Sequence, residues 1–341
     1  MPPPINGQSV VMAHIAAELA PHYAGMRILN IGGEGSLSGW RSSLKRLGNS
    51  IQAWTALRGS DVVYIAVKAG RGMWLTAATA GLARILGANL ILHHHSYIYV
   101  RERLPRMVAL TRIAGPSACH IVLSQSMERD LTAAMPEIRH TLVINNAGLV
   151  DRSLSELPLK TGDDLVLGHL SNLSVSKGIV EVVDLAIALH RAGVQVRLVV
   201  GGPIADGSAR GHLDRAWKEM GDNFDYRGPL SGDAKRTFFA DITHFAFPTR
   251  YVHEAVPLVL YEAMAAGAVC LTTDRGSIAE QMIDTPGLVA RDADSFVDEV
   301  LPLLSTELRL SSCSALSRMA YMRALDASNK QLATLVGIIA M

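Results

Sequence analysis

Short apolar runs alternate with longer helix-like stretches along most of the chain. Before residue 150, strand-like runs lie at 27–31, 61–67, 89–93, 120–123 and 142–145. After a polar segment at 151–164 the pattern restarts, with strand-like runs at 165–169, 194–200, 224–227, 244–247, 269–272 and 287–290. Apolar strands separated by helices are typical of parallel sheets covered on both faces. The pattern therefore predicts an α/β protein with two doubly wound, Rossmann-like domains.

The polar segment near residue 155 divides the two repeats of this pattern. We predict an N-terminal domain at 1–155, a second domain at 156–320 and a C-terminal helix at 321–341, in a chain of 341 residues. Ligands of doubly wound sheets bind at the carboxyl ends of the strands. We therefore expect the two domains to face each other across a cleft.

The cysteines and the apolar runs of the chain indicate in which cellular environment the protein works. The three cysteines, Cys119, Cys270 and Cys313, are far apart and lack the spacing of a metal site. An odd number of scattered cysteines favours a reduced protein without a disulfide framework. The start of the chain lacks the pattern of a signal peptide, and no uncharged apolar run approaches the ~20 residues of a membrane span. These features predict a cytoplasmic protein, free in solution or attached to a membrane surface.

The charge is unevenly distributed. Residues 1–150 hold 14 Lys+Arg against 7 Asp+Glu, a net of +7, and the remainder holds 18 against 24, a net of −6. A basic first half is consistent with an anionic partner or an anionic lipid surface, or simply with unequal solvated faces. The basic residues are not interleaved with aromatics, which argues against nucleic acid.

The candidate chemistry centres on residues 253–267, which run His-Glu-Ala-Val-Pro-Leu-Val-Leu-Tyr-Glu-Ala-Met-Ala-Ala-Gly. Pro257 suits the first turn of a helix and Gly267 its end, so Glu254 is predicted in a loop and Glu262 inside the helix. The N–H groups around Val256, Pro257 and Leu258 would mark a positive helix end, which suits an anion. From Pro257 to Glu262 the helix rises about 7–8 Å, roughly the distance from a diphosphate to its ribose.

This stretch resembles the signature of the family 4 retaining glycosyltransferases, which have a two-domain GT-B fold and carry two glutamates separated by seven residues. The resemblance extends to the flanking residues 241–250 and 268–274. It implies a UDP- or GDP-sugar donor, no cofactor and no metal, and a polysaccharide, glycan or lipid-linked acceptor. Glu254 would contact the transferred sugar, and Glu262 the ribose hydroxyls. The last helix of such proteins often packs back on the first domain.

Other positions match the family motif one by one. Lys177, followed by Gly178, lies where the family places a cation for the leaving diphosphate, and His95 aligns with a histidine near the donor sugar. The remaining donor-side candidates are Gly7 in a loop, Asn172 where many members have an arginine, Arg250 as a replacement phosphate cation, and Gly228 beside the base. A structural histidine, an ordinary surface lysine and plain turn glycines are the alternative explanations.

Two departures keep other functions open. The usual first apolar strand of the family is missing, because the loop-like Pro2, Pro3 and Pro4 stand at its place. This gap and Asn172 motivate a non-catalytic sugar-nucleotide-binding homologue as an alternative, and a sugar-nucleotide epimerase of the same fold is another.

The motif of Asp292 and Asp294 has metal-site spacing, but it precedes a helix, where capping is the better explanation.

Overall fold

The structure is a computed structural model that describes residues 7–23, 25–29, 54–67, 69–70, 72–161, 164–305 and 310–340. Chain contacts divide it into two compact units. The first comprises residues up to Asn145 together with those from Ser328 onward, and the second comprises Asn146–Ala327. The sequence places these divisions at 155 and 320. The long final helix accounts for the later division, since its residues belong partly to each unit.

The first unit contains a parallel sheet of four described strands in the order β1-β2-β3-β4. The strands are β1 (Val62–Ala66), β2 (Asn89–His93), β3 (Cys119–Val122) and β4 (His140–Val143). The helices are α1 (Gly7–Leu19), α2 (Gly72–Ile85), α3 (Pro105–Ala114) and α4 (Gln125–Ala134). Each of α2, α3 and α4 connects two neighbouring parallel strands, as parallel pairing requires. All four strands therefore end at the same edge of the sheet.

Two sequence predictions about the first unit are wrong in the described residues. Gly7 is not in a loop but opens α1, because the helix-favouring residues that follow extend the helix back to a glycine tolerated at its start. The run predicted as a strand at 27–31 is described only to residue 29 and forms no strand there. Ile28 is 73% exposed, so no described neighbour buries that run. Among the described residues, no strand precedes β1.

The second unit contains a six-stranded parallel sheet in the order β10-β9-β8-β5-β6-β7. Its strands are β5 (Leu165–Leu170), β6 (Val196–Gly201), β7 (Phe224–Tyr226), β8 (His244–Phe247), β9 (Val269–Thr273) and β10 (Leu288–Ala290). Every residue of β5, β8 and β9 is buried, which explains why these strands read as continuous apolar runs. The sequence of crossovers from β5 to both sides makes this a doubly wound sheet.

Helices cover both faces of the second sheet and complete its core. They are α5 (Ile179–Arg191), α6 (Gly207–Met220), α7 (Gly232–Asp241), α8 (Leu258–Ala265), α9 (Ile278–Gln281), α10 (Phe296–Ser305) and α11 (Leu310–Ala340). The core is formed largely by aliphatic residues of α5 packed on β5 and β6, among them Leu185 and Leu198. The prediction of two parallel-sheet α/β units is confirmed.

Candidate functional site

The segment that carries the two glutamates folds as its sequence predicts. Glu254 lies in the loop after β8, and Glu262 is the fifth residue of α8. Pro257 is the cap residue before the helix, with φ −64° and ψ 123°. The helix ends before Gly267, whose φ of +74° is a conformation that favours glycine. Sequence and local structure therefore agree on where this helix starts and stops.

The start of α8 presents backbone N–H groups without a side-chain cap. The carbonyl oxygens just before it have their own partners: Val256 O accepts from Asn146 Nδ2 at 3.0 Å, and Pro257 O accepts from Gln281 Nε2 at 3.0 Å. Leu260 N donates to Pro257 O at 3.3 Å, which leaves the N–H groups of Leu258 and Val259 without an acceptor in the helix, and the helix dipole makes this end positive. The arrangement suits a bound anion.

Lys177 and Glu254 form an ion pair between two loops of the second sheet. Lys177 ends the short 3-10 turn after β5, and its Nζ lies 2.5 Å from Glu254 Oε2. Both side chains are mostly buried. The ammonium group also lies 4.8 Å from the centre of the Tyr251 ring, a favourable cation–π distance. The two predicted catalytic residues of this unit are thus brought together.

Two glycines hold the loop of Glu254 by close backbone contact. A Cβ on Gly178 would lie 2.3 Å from Pro248 O, and one on Gly276 would lie 1.8 Å from Glu254 O. Both glycines have positive φ, +86° and +57°. Only glycine therefore fits at either position. Gly276 is not among the residues predicted from the sequence, although its position shortly after an apolar strand was a usable signal.

Thr249 also contacts the carboxylate of the ion pair between Lys177 and Glu254. Its side chain is fully buried, and its Oγ1 lies 3.3 Å from Glu254 Oε2 and 3.3 Å from Ser176 O. The N–H of Tyr251 donates to the same hydroxyl at 3.2 Å. One small side chain therefore joins the loop of Glu254 to the turn that carries Lys177. Sequence pattern alone gave no signal for this residue.

Arg250 is engaged by carboxylates of its own unit. Its Nε lies 2.6 Å from Glu181 Oε1, and its Nη2 lies 2.7 Å from Asp294 Oδ1. Its positive charge is thus balanced by two acids. This geometry favours a role in holding the loop over the predicted role of a phosphate cation. Asp292 caps the start of α10 by accepting from Ser295 N at 2.9 Å, which confirms the capping explanation for this motif.

Glu262 has its own cationic partner, Lys235 of α7. Nζ of Lys235 lies 2.5 Å from Glu262 Oε1, and the glutamate side chain is only 8% exposed. Burial raises the pKa of Glu262, whereas the positive charge and hydrogen bond of Lys235 act to lower it. The sequence analysis identified the glutamate but not the lysine.

The remaining donor-side candidates lie on loops at the carboxyl ends of β5 and β7. Asn172 is exposed just after β5. Gly228 follows β7 with a φ of +67°, and its carbonyl accepts from Gly202 N at 2.6 Å. His169, a residue of β5, is buried, and burial lowers its pKa to about 4. His169 is therefore neutral near pH 7 and serves as a hydrogen-bonding group.

His95 belongs to the first unit, at the carboxyl end of β2. The rings of His93 and His95 lie 3.9 Å apart, while His94 Nε2 lies 2.9 Å from His120 Nδ1 on the other side. His93 and His95 thus lie on one side of the chain and His94 on the other. Burial lowers the pKa of His95 and of His120 to about 4. Tyr64 adds a hydroxyl 2.6 Å from His93 Nδ1.

Metal-ligating residues do not gather in the described part of the chain: it contains no group of three or more His, Cys, Asp or Glu placed to hold a metal ion. The three cysteines are free thiols. Among the charged pairs of the second unit, two contain the predicted glutamates, Glu254 with Lys177 and Glu262 with Lys235. An anionic ligand and hydroxyl groups are the chemistry that these pairs suit.

Comparison with known proteins points to the same part of the chain. Residues 164–306 match the family model described as Glycosyl transferases group 1. The range includes Lys177, Glu254 and Glu262. The Bacillus subtilis (strain 168) protein named "Putative glycosyltransferase EpsF" is 27% identical over 179 residues, which are 52% of this chain and 44% of EpsF. The match thus spans less than half the length of that curated relative.

Solved structures resemble almost the whole chain. Sucrose-phosphate synthase (tll1590) from Thermosynechococcus elongatus has a TM-score of 0.71 and 18% identity, covering 97% of this chain and 92% of that one. Anabaena Alr3699/HepE, solved in complex with UDP and glucose, has a TM-score of 0.68 and 16% identity, covering 97% and 96%. Such identities speak for the fold. The protein therefore has the two-sheet α/β fold of GT-B glycosyltransferases, and its residues 164–306 match the group 1 glycosyl transferase domain.

Proposed function

We propose that the protein is a retaining glycosyltransferase that transfers a sugar from a UDP- or GDP-sugar without a metal. The observation that supports this most is the assembly of Lys177 and Glu254 beside the start of α8, with Glu262 on the same helix, inside the matched range. Structural neighbours include Anabaena HepE in complex with UDP-glucose, which supports a nucleotide-sugar donor.

Lys177 and the first-turn N–H groups of α8 would bind the donor diphosphate. When the bond between the anomeric carbon and the diphosphate breaks, negative charge develops on the departing oxygen, and preorganised cations and N–H groups stabilise it. Lys177 would then exchange its contact with Glu254 for one with the diphosphate. Glu254, released from the lysine, would accept hydrogen bonds from hydroxyls of the transferred sugar.

His95 would contribute from the first unit. A histidine with a pKa of about 4 is neutral near pH 7, so it can donate one hydrogen bond and accept another without adding charge. That property suits a sugar hydroxyl better than a phosphate. Retention of configuration is what the resemblance of the glutamate motif implies.

For the acceptor, we propose a lipid-linked or other glycan at the cytoplasmic face of an anionic membrane. Helices α2 and α3 contain no acidic residue, and Arg84 of α2 donates to Ile113 O at 3.1 Å, so their ends lie together. Around that junction the exposed apolar side chains are Ile85, Leu86 and Ile113, with Ile85 83% exposed. Apolar side chains beside arginines suit the interface of an anionic bilayer. None of the described helices has the length and apolar character needed to span it.

Incubation with labelled UDP- and GDP-sugars tests the enzymatic proposal. We expect slow donor hydrolysis, lost in Lys177→Ala and Glu254→Ala, and a product with the anomeric configuration of the donor in an NMR assay. Isomerised donor would instead indicate an epimerase. Donor binding with no turnover under any acceptor tried would indicate a non-catalytic homologue.

Sedimentation with vesicles tests the membrane proposal. The protein should sediment with vesicles that contain phosphatidylglycerol and not with neutral ones, and Ile85→Ser should weaken the binding. Trp217→Ser is the matched control, since Trp217 is an exposed apolar residue of the second unit. Equal sedimentation of wild type and Ile85→Ser would contradict the assignment of this surface.

A further inference from the structure

The resemblance of the glutamate motif assigns Glu262 to the donor ribose, but its partner Lys235 has no role in the chemistry described so far. We infer that Lys235 is a positioning residue that holds the Glu262 carboxylate ready for the two vicinal hydroxyls of a nucleoside ribose. The inference deepens the proposed function and rests on it. It assigns to α7 a part in donor binding that the glutamate motif of α8 does not contain.

The geometry leaves Glu262 able to bind a second partner. Lys235 Nζ contacts Oε1 at 2.5 Å, and among the described residues it is the only side chain that hydrogen-bonds to Glu262. An ionised carboxylate has about four lone-pair sites on two oxygens. Oε2 can therefore accept hydroxyl groups while Lys235 keeps its contact. Lys235 is 30% exposed and Glu262 8%, so the pair has one side toward the protein surface.

The buried position of Glu262 is unfavourable for a carboxylate. The residues around Glu262 in α8 are apolar and buried, including Leu260, Ala263 and Met264. An unpaired carboxylate in such surroundings would lose its hydration and tend to become protonated. A structural role alone would be served equally well by another apolar residue. The retained charge points to a ligand that needs it.

The position along the helix suits a ribose. Glu262 lies five residues beyond Pro257, about 7.5 Å along the helix axis at 1.5 Å per residue. A diphosphate held at the start of α8 would place its ribose near that distance. Glu262 is thus the carboxylate that a ribose diol would reach from an anion bound at the helix start.

The charge state of Glu262 depends on its neighbours. Burial raises its pKa, Lys235 of α7 lowers it, and Asp151, which precedes the short turn Arg152–Leu154, raises it. Lys235 is therefore the group that opposes both other influences. Without it the carboxylate would be protonated over a wider pH range and could accept fewer hydroxyl groups. The loss should be reversed when the pH is raised.

Nucleotide titration calorimetry tests the inference. UDP and GDP are titrated into the full chain between pH 6 and 9, and the one that binds is compared with its 2′,3′-dideoxy form. In Lys235→Met we expect the ribonucleotide to bind roughly tenfold more weakly at pH 7, and the dideoxy form less than about twofold more weakly. The tenfold loss should shrink as the pH rises. Lys235→Arg should restore most of the affinity.

Two further variants separate positioning from stability. Arg236→Met removes the same charge from the neighbouring, exposed position of α7 and should leave binding unchanged. Glu262→Gln cannot ionise, so it should abolish both the preference for the ribonucleotide and its pH dependence. If Lys235→Met does not fold, Lys235→Gln and the pH profile of Glu262→Gln carry the test.

The outcomes are distinct. Equal weakening of ribo and dideoxy nucleotides in Lys235→Met, or a loss that does not vary with pH, would overturn the inference and leave Lys235 a purely structural partner. A full ribose preference in Glu262→Gln would overturn it as well. If neither UDP nor GDP binds the wild-type protein, the proposed function fails, and the inference fails with it.

Discussion

The two sheets end in different electrostatic surroundings. At the end of β2 in the first unit, His94 and His120 are buried neutral groups that hydrogen-bond to each other. At the end of β8 in the second unit, the polar groups are charged and paired, as in Lys177 with Glu254. Neutral groups suit uncharged hydroxyls, whereas a cation and a helix start suit a diphosphate. In the proposed reaction, the second unit would therefore be the one that stabilises the leaving diphosphate.

The two sheets also differ in what holds the polar groups at the carboxyl ends of their strands. In the first unit, burial and, for His93, the neighbouring histidines lower the pKa and keep the ring neutral, and a tyrosine hydroxyl fixes one ring. In the second unit, loop backbones pack tightly against Gly178 and Gly276, which fixes the backbone that carries the charged side chains. Loops held in place in this way need little rearrangement when a transition state develops charge. The second unit is therefore the preorganised one.

The largest expected effect comes from removing the cation of the second unit. Lys177→Met should lower the transfer rate by roughly 10²–10³-fold, which is the usual cost of losing one preorganised charge-stabilising group. Steady-state kinetics with the labelled UDP- or GDP-sugar that the protein turns over measures it. Lys218→Met, a change at an exposed lysine of α6, is the control and should have no effect. A rate within threefold of wild type in Lys177→Met would show that the positive charge of this lysine does not contribute to catalysis.

A smaller effect is expected from disturbing the backbone under Glu254. Gly276→Ala would place a Cβ 1.8 Å from Glu254 O at a positive φ, so the loop must move. We expect the free energy of unfolding to fall by about 2–3 kcal/mol, measured by urea denaturation. Gly211→Ala in α6 is the matched control, because a Cβ there meets nothing within 4 Å. Since alanine favours helix, Gly211→Ala should be neutral or slightly stabilising. Equal stability of both variants would contradict the tight packing of this loop.

Acid should weaken the first unit more than the second. Four described histidines of the first unit have a lowered pKa, against two in the second: His93, His94, His95 and His120 against His169 and His244. Below a pH of about 6.5 the unfolded chain binds protons at these histidines, whereas the folded state does not until its own, lower pKa is reached. Stability is therefore complete above that pH and is lost as the pH falls toward 4.

Hydrogen exchange measured separately in β3 and β9 checks this prediction. Protection of β3 should fall first between pH 6.5 and 4. His120→Asn, which keeps a polar atom near Nδ1, should remove about 1–2 kcal/mol of that loss. Simultaneous loss in both strands, unchanged in His120→Asn, would show that neutral histidines do not distinguish the two units.

The sequence predicted most of the fold because parallel strands leave a strong pattern of buried apolar residues. All six strands of the second sheet lie within about two residues of their predicted ends. It also predicted that Glu254 lies in a loop and Glu262 in a helix, because a proline and a glycine mark the ends of that helix. It could not predict Lys235 and Thr249, since their roles depend on which helix and loop pack beside α8. The run at 27–29 has the apolar character of a strand, but pairing with another strand cannot be read from a sequence, and the described residues of this run form no strand.

The smallest expected effect concerns Asp292, which separates a cap from a metal ligand. Asp292 accepts from Ser295 N at 2.9 Å at the start of α10, so Asp292→Ala should lower the midpoint of urea unfolding by a small but measurable amount. Asp292→Asn, which keeps a capping oxygen, should lose only a few tenths of that. Neither variant should change nucleotide binding, with or without added Mn²⁺, because the charges of the proposed site lie on other loops. A Mn²⁺-dependent loss of binding in Asp292→Ala would instead extend the charged edge of the second unit to α10.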